Sequence, residues 1–203
     1  MTNFYSRRDL DFILHEFLQV QQLCEYERFA DQDIETYTEI LNTAEKVAEQ
    51  LFWPHAAKSD ANPPQFDNGR AILIPEIKTA VDAFCENGFV AGAFQPEHGG
   101  LGLPDTILQA ATSIFMGANL PSTAYGTLTT GAAHLIETFG NDEQKQRYLL
   151  PMVEGRFFGT MCLSETHAGS SLTDIRSRAE PQADGSYRIH GSKMWISAGE
   201  HDI

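Results

Sequence analysis

The sequence predicts a multi-domain α and β chain. An all-α helical domain over residues 1–156 is followed, over residues 157–203, by the opening strands of a β-domain. Three observations predict it. As far as about residue 150, apolar residues recur at helical spacing between Asp, Pro and Gly punctuation. Beyond that point the apolar runs shorten to strand length, and Ala183-Asp184-Gly185 sets a hairpin signal between two of them. An apolar content of 42% is enough for a real core in a chain of 203 residues.

The elements follow in order. Residues 9–18 place Phe12, Ile13, Leu14, Phe17 and Leu18 on a short amphipathic helix. Residues 31–57 form a longer one, capped by Asp33, with Ile40, Leu41, Ala44, Val47, Ala48 and Leu51 at helical spacing; Pro54 is expected to kink or end it. Residues 59–70 (SDANPPQFDNGR) read as a loop. A third helix starts at Pro75, a first-turn residue, and stops at Asn87-Gly88. The glycine-rich stretch 96–103 is irregular. Residues 104–118 and 122–139 are two consecutive, mostly apolar helices, buried on most sides. A last helix, 142–150, ends at Pro151. Short strands are expected over 157–163, 175–179, 186–189 and 193–196.

Charge excludes several functions. The formal net charge is −14, and residues 1–150 hold nine basic against 21 acidic residues. No basic stripe exists to neutralise a nucleic-acid backbone, and an acidic surface repels anionic membranes. Three cysteines without a CxxC pair argue against a disulfide framework or a zinc site and fit a reducing cytoplasm. The seven histidines show no metal-ligand spacing, so no metal is expected. No run of about 18 apolar residues is present and the first residues lack a signal core, so a cytoplasmic protein without a membrane span is expected.

Two stretches carry chemistry. Residues 159–171 read GTMCLSETHAGSS: an apolar run entering a turn of hydroxyl residues and glycine. Gly169 permits positive φ and close ligand approach, and Ser164, Ser170 and Ser171 offer hydroxyls beside successive N–H groups, which suits an anion. Residues 193–197 read KMWIS, where Trp195 offers a flat face and Ser197 a hydroxyl on the same side of a strand. Taken singly, each is also compatible with an ordinary polar loop or a core tryptophan, and composition alone favours those plainer readings.

Together, PEHGGLGL (96–103), GNDEQKQRYLLP (140–151), GTMCLSETHAGSS (159–171) and GSKMWIS (191–197), in that order and at those separations, resemble the acyl-CoA dehydrogenase family. The resemblance covers essentially the whole chain. RRDLDFILHEF (7–17) and GEHD (199–202) are similar to the longer branch that includes 3-methylthiopropanoyl-CoA dehydrogenases. The family fold implied is a helical domain, a β-barrel-like middle domain and a C-terminal four-helix bundle, so the chain is expected to be truncated within the middle domain. The resemblance implies bound FAD. Met161, Leu163 and Ser164 would lie along the flavin edge, Gly169 and Ser170 near phosphate, and Trp195, Ile196 and Ser197 beside the isoalloxazine. Ser170 would also approach the CoA ester, and Ile114, Phe115 and Met116 would wall the acyl pocket. The family motif usually carries Thr at position 164, Pro at 166, Gly or Gln at 167 and Asp or Asn at 171. Here Ser164 keeps the hydroxyl, while Thr166 loosens the turn and Ser171 removes a capping carboxylate, so an altered FAD affinity is expected.

The implied function is FAD-dependent α,β-dehydrogenation of an acyl-CoA thioester in fatty acid metabolism. A partner such as an electron-transfer flavoprotein would take the electrons, and the full-length form would be a homo-oligomer. The reaction needs a base for the α-proton and donors that polarise the thioester carbonyl. In the family that base is a Glu of the C-terminal bundle, so no catalytic residue is expected in this chain; the base would lie C-terminal to Ile203. Glu165 and Glu97 are not expected to replace it. Two other readings share the motifs: an acyl-CoA oxidase-like flavoprotein, and a non-catalytic acyl-CoA-binding or interaction module.

Overall fold

The computed structural model describes residues 4–203. Helix α1 (Arg7–Asp11) is capped by the Ser6 hydroxyl, which accepts from Asp9 N, and continues as a π-helical turn, Phe12–Phe17. Helix α2 (Ile34–Val47) starts at Asp33, whose carboxylate accepts from Thr36 N at 2.7 Å, as its position before the apolar series requires. Tyr37, Leu41 and Ala44 form its buried face. Pro54 does not end this helical run. A π turn (Ala48–Phe52) and a 3-10 turn (Trp53–His55) absorb the missing donor, and α3 (Ala56–Ala61) follows.

The stretch expected as a loop contains a hairpin. Strands β1 (Gln65–Asp67) and β2 (Arg70–Ile72) pair antiparallel around Asn68-Gly69, both at positive φ (47° and 84°). That dipeptide is the strongest two-residue hairpin signal, and its short, exposed strands lack the apolar alternation that announces one. Helix α4 (Pro75–Glu86) begins at the proline and ends at Asn87-Gly88 as expected. Helix α5 (Asp105–Phe139) holds both predicted helices, separated by non-helical Asn119 (φ −162°, ψ 90°) two residues before Pro121. Gly126 lets α5 approach α4, since a Cβ there would lie 2.5 Å from the Phe84 ring. The last helical run, α6 (Asp142–Gln144), a π turn (Lys145–Leu149) and α7 (Leu150–Val153), passes through Pro151 rather than stopping at it. The π turn takes up the register the proline disturbs.

The core lies between α2, α4 and α5. Phe115 sits at its centre, with ring centroids 5.0 Å from Phe52, 4.9 Å from Phe84 and 4.8 Å from Phe89. Helical packing of amphipathic faces thus supplies most of the buried apolar surface.

From residue 157 onward the only ladder among the described residues is β3 (Arg178–Pro181) with β4 (Tyr187–His190), antiparallel across the Ala183-Asp184-Gly185 turn. The strands expected at 175–179 and 186–189 are these two, shifted toward the C-terminus. Those expected at 157–163 and 193–196 do not form. The two stretches lie side by side but share one main-chain bond, Met194 N to Ser164 O (3.0 Å), and left-handed Trp195 (φ 59°) and Ala198 (φ 50°) break the extended path a ladder needs. No closed barrel is present among the described residues.

The segment after the helices is docked on the helical body. Gly159 N donates to Thr129 Oγ1 (3.1 Å). Near the C-terminus, Glu200 accepts from Ala71 N and Asp202 from Leu73 N (3.2 Å), while the His201 ring meets Tyr125 and Phe158 edge-on at 5.2 Å each. No helix of the described residues is long and apolar enough to cross a membrane.

Candidate functional site

The two chemistry-bearing stretches meet. Residues 160–164 run beside 193–197, joined by the Met194–Ser164 bond, by the Thr160 hydroxyl donating to Ser197 O, and by Lys193 Nζ donating to Leu163 O at 3.0 Å. Glu165 and Ala168 then exchange main-chain bonds of 2.8 and 3.2 Å, which closes the turn into a compact loop.

Glu165 organises this loop, a role the sequence reading missed. The residue is 6% exposed, yet its carboxylate accepts from Lys193 Nζ (2.8 Å), Arg176 N (2.8 Å) and Ser177 N (3.0 Å). The Lys193 ammonium, then the Ser177 and Arg176 donors, hold its carboxyl pKa well below the usual carboxylate range. Its partners lie 11 to 28 residues downstream, so no local pattern announces them. Behind the loop, Gly191 packs against Ser177 so closely that a Cβ there would lie 2.1 Å from its hydroxyl oxygen.

What the loop leaves free is as informative. The carbonyls of Leu163 and Ser164 are engaged within the chain, whereas the N–H groups of Leu163, Ser164, Gly169, Ser170 and Ser171 have no acceptor among the described residues. Gly169 is exposed and does not use the positive φ open to it; a Cβ there would meet nothing within 4 Å, so the position is open on its outer side. Ser171 starts a 3-10 turn (Leu172–Asp174) without a side-chain cap bond, as the loss of an acidic residue there predicts. Met161, Leu163, Ser170 and Ser197 are exposed, Ser164 and Ile196 half-buried, and Trp195 presents 83% of its surface. Among the described residues, Trp195 is therefore not packed into a core.

The expected acyl wall is not part of this cluster. Ile114 and Phe115 are wholly enclosed in the core beside Phe52, Phe84 and Phe89, and only Met116 of the three reaches the surface. An apolar groove of about 470 Å³ between α2 and the glycine-rich loop is lined by Ile40, Phe89, Leu101 and Leu103 together with Asp33, Glu35 and Glu39. No cluster of His, Cys, Asp or Glu suited to a metal ion occurs among the described residues.

An exposed aromatic face, unpaired amides beside hydroxyls and an open glycine are the donor set that a planar, phosphate-bearing cofactor needs. Comparison with known proteins bears on the chain as a whole. The chain is 34% identical over 196 residues to the 3-methylmercaptopropionyl-CoA dehydrogenase of Ruegeria pomeroyi, covering 97% of this chain and 33% of that protein. It therefore spans about a third of the length of the curated relatives it matches. Among solved structures it resembles a chain from the electron transferring flavoprotein of Acidaminococcus fermentans (TM-score 0.70, 26% identity, 83% of this chain and 41% of that one). It also shares the fold of butyryl-CoA dehydrogenase from Megasphaera elsdenii (TM-score 0.68, 23% identity, 80% of this chain and 41% of that one). The family model for the acyl-CoA dehydrogenase N-terminal domain matches residues 34–156, more than half of the chain, and the chain belongs to the acyl-CoA dehydrogenase family.

Proposed function

We propose that this chain forms the cofactor-holding part of an FAD-dependent acyl-CoA dehydrogenase. The observation that carries the reading is the locked contact of residues 160–165 with 193–197, in which the carbonyls of Leu163 and Ser164 are consumed internally and the amides of the same two residues have no acceptor among the described residues. Leu163 and Ser164 would hold the ring edge, Gly169 and Ser170 the phosphates, and Trp195, Ile196 and Ser197 would flank the ring. Free N–H groups suit the electron-rich carbonyl and phosphate oxygens of such a group. When bound, the flavin supplies a hydride acceptor for the substrate β-carbon. The chain's own residues bind and orient it, and the Ser170 hydroxyl would also contact the CoA ester.

No carboxylate of these 203 residues is proposed as the base for the α-proton. Glu165, the carboxylate built into the loop, is not available as that base because three donors occupy its oxygens. An acyl-CoA substrate, an electron-transfer flavoprotein as acceptor, a cytoplasmic setting and a homo-oligomeric assembly complete the proposal; the likeness to the Acidaminococcus chain supports the acceptor. Purified protein titrated with FAD should quench flavin fluorescence and retain a yellow colour through gel filtration. Free FAD eluting separately from colourless protein would sink the reading. Rapid oxygen consumption on acyl-CoA addition to the assembled enzyme would replace dehydrogenase by oxidase.

A further inference from the structure

Glu165 and Lys193 do more than close a loop. Lys193 Nζ donates to Glu165 Oε1 (2.8 Å) and to Leu163 O (3.0 Å), while Glu165 accepts from the amides of Ser177 (3.0 Å, Oε1) and Arg176 (2.8 Å, Oε2). His167 Nε2 stands 3.6 Å from the second oxygen and 3.1 Å from Asp174 O. One ion pair therefore ties together three separate pieces of backbone: residues 163–165, residues 176–177 leading into β3, and the arm 193–197. The Lys193 side chain is about one-fifth exposed and that of Glu165 almost wholly enclosed.

So enclosed a pair adds little net stability, because desolvation offsets much of the attraction; its best-attested use is to set register. Register is what residues 163–164 and 194–197 lack, since a single main-chain bond joins them. On the flavin reading given above, we propose that Glu165 and Lys193 are positioning residues: their ion pair fixes the spacing between the Leu163–Ser164 amides and the Trp195–Ser197 arm, and thereby the shape of the cofactor cradle. In this role neither side chain would contact the cofactor itself. Lys193 occupies the Leu163 carbonyl, which leaves the adjacent amides as the outward donors, and Glu165 anchors that lysine to the loop base.

The test uses the full chain in three variants. Lys193→Met keeps the aliphatic stem and removes the ammonium; Glu165→Gln keeps the shape and removes the charge; Lys193→Arg keeps donors to both partners. Each is measured for FAD affinity by flavin fluorescence, for the fine structure of the bound flavin's visible spectrum, for far-ultraviolet circular dichroism and for amide exchange at Arg176 and Ser177. Loss of one charge-assisted bond corresponds to about a tenfold change or more. Lys193→Met and Glu165→Gln should therefore weaken FAD at least about tenfold, blur the bound spectrum and speed exchange at the two amides, with helical dichroism kept. Lys193→Arg should recover most of the affinity. Wild-type protein that binds FAD, with both removal variants binding equally well and showing the same spectrum, would overturn the positioning role and leave the flavin reading intact. A wild-type protein that holds no FAD would overturn the flavin reading and this role with it. Loss of helical dichroism in both removal variants would make the pair a folding brace and also overturn the role.

Discussion

Phe115 is the residue on which the helical body turns. It touches three other phenylalanine rings and is fully enclosed, so truncation leaves a cavity that rigid helices fill poorly. Phe115→Ala should cost about 3–5 kcal/mol in denaturant unfolding, and Phe115→Leu clearly less. An equal, small loss for both would mean that the ring is not the keystone its contacts describe. His55 makes a second residue-scale case. It is buried, with Nδ1 2.7 Å from Leu51 O and Nε2 2.9 Å from Ser122 Oγ. Desolvation pushes its imidazole below the ordinary histidine value, so the fold prefers the neutral ring. The folded value lies below the unfolded one. Its stabilising contribution is thus fully present above about pH 6.5 and is lost as pH falls through the folded value. Melting midpoints of wild type and His55→Gln should converge as pH drops from about 7.5 toward 5; parallel curves would remove His55 from the acid response.

At the scale of elements, the break in α5 shows how a sequence signal becomes geometry. Pro121 cannot donate to the preceding turn, and the helix gives way at Asn119. Its side chain then repairs the gap: Nδ2 donates to Phe52 O (3.3 Å) and Ser59 Oγ (3.4 Å), and Oδ1 accepts from Ser122 N (3.2 Å). Asn119→Ala strips these partners from a buried position and should cost about 1–3 kcal/mol, read from thermal or chemical unfolding. A change under about 0.5 kcal/mol would show that water replaces them without penalty. The helices were legible in the sequence because each has a local cause: the Asp33 cap, Pro75 at a first turn, Asn87-Gly88 at an end, Pro121 at a break. The π turns around Pro54 and Pro151 were not, because they arise where neighbouring helices hold a run together against a proline. The candidate site divides the same way. Its turn and tryptophan arm were legible as motifs, whereas the Glu165–Lys193 tie depends on tertiary approach across 28 residues.

The whole molecule consists of a tightly packed helical body and a thinly attached segment after residue 156. That segment holds one two-stranded ladder with mostly exposed side chains, and it meets the body chiefly through Gly159 and residues 200–203. Local opening follows buried contact, so β3 and β4 should exchange their amide protons well before α5 does. The attachment near the C-terminus also responds to acid. His201 lies between the edges of Tyr125 and Phe158, and burial pushes its imidazole below the ordinary value despite the opposing pull of Glu200 and Asp202. The sign matches that of His55: docking is strongest above about pH 6.5 and weakens as pH falls through the folded value. The charged groups facing the ring are Glu200 and Asp202, the same carboxylates that hold Ala71 and Leu73, and their attraction for a protonated ring only partly offsets its desolvation. Hydrogen exchange at Ala71 and Leu73 should accordingly rise between about pH 7 and pH 5 beyond the intrinsic trend, while α5 stays protected. His201→Phe, which keeps the aromatic contact and cannot titrate, should abolish that extra rise. If the variant retains it, the acid response of the docked segment belongs to Glu200 and Asp202 rather than to the ring.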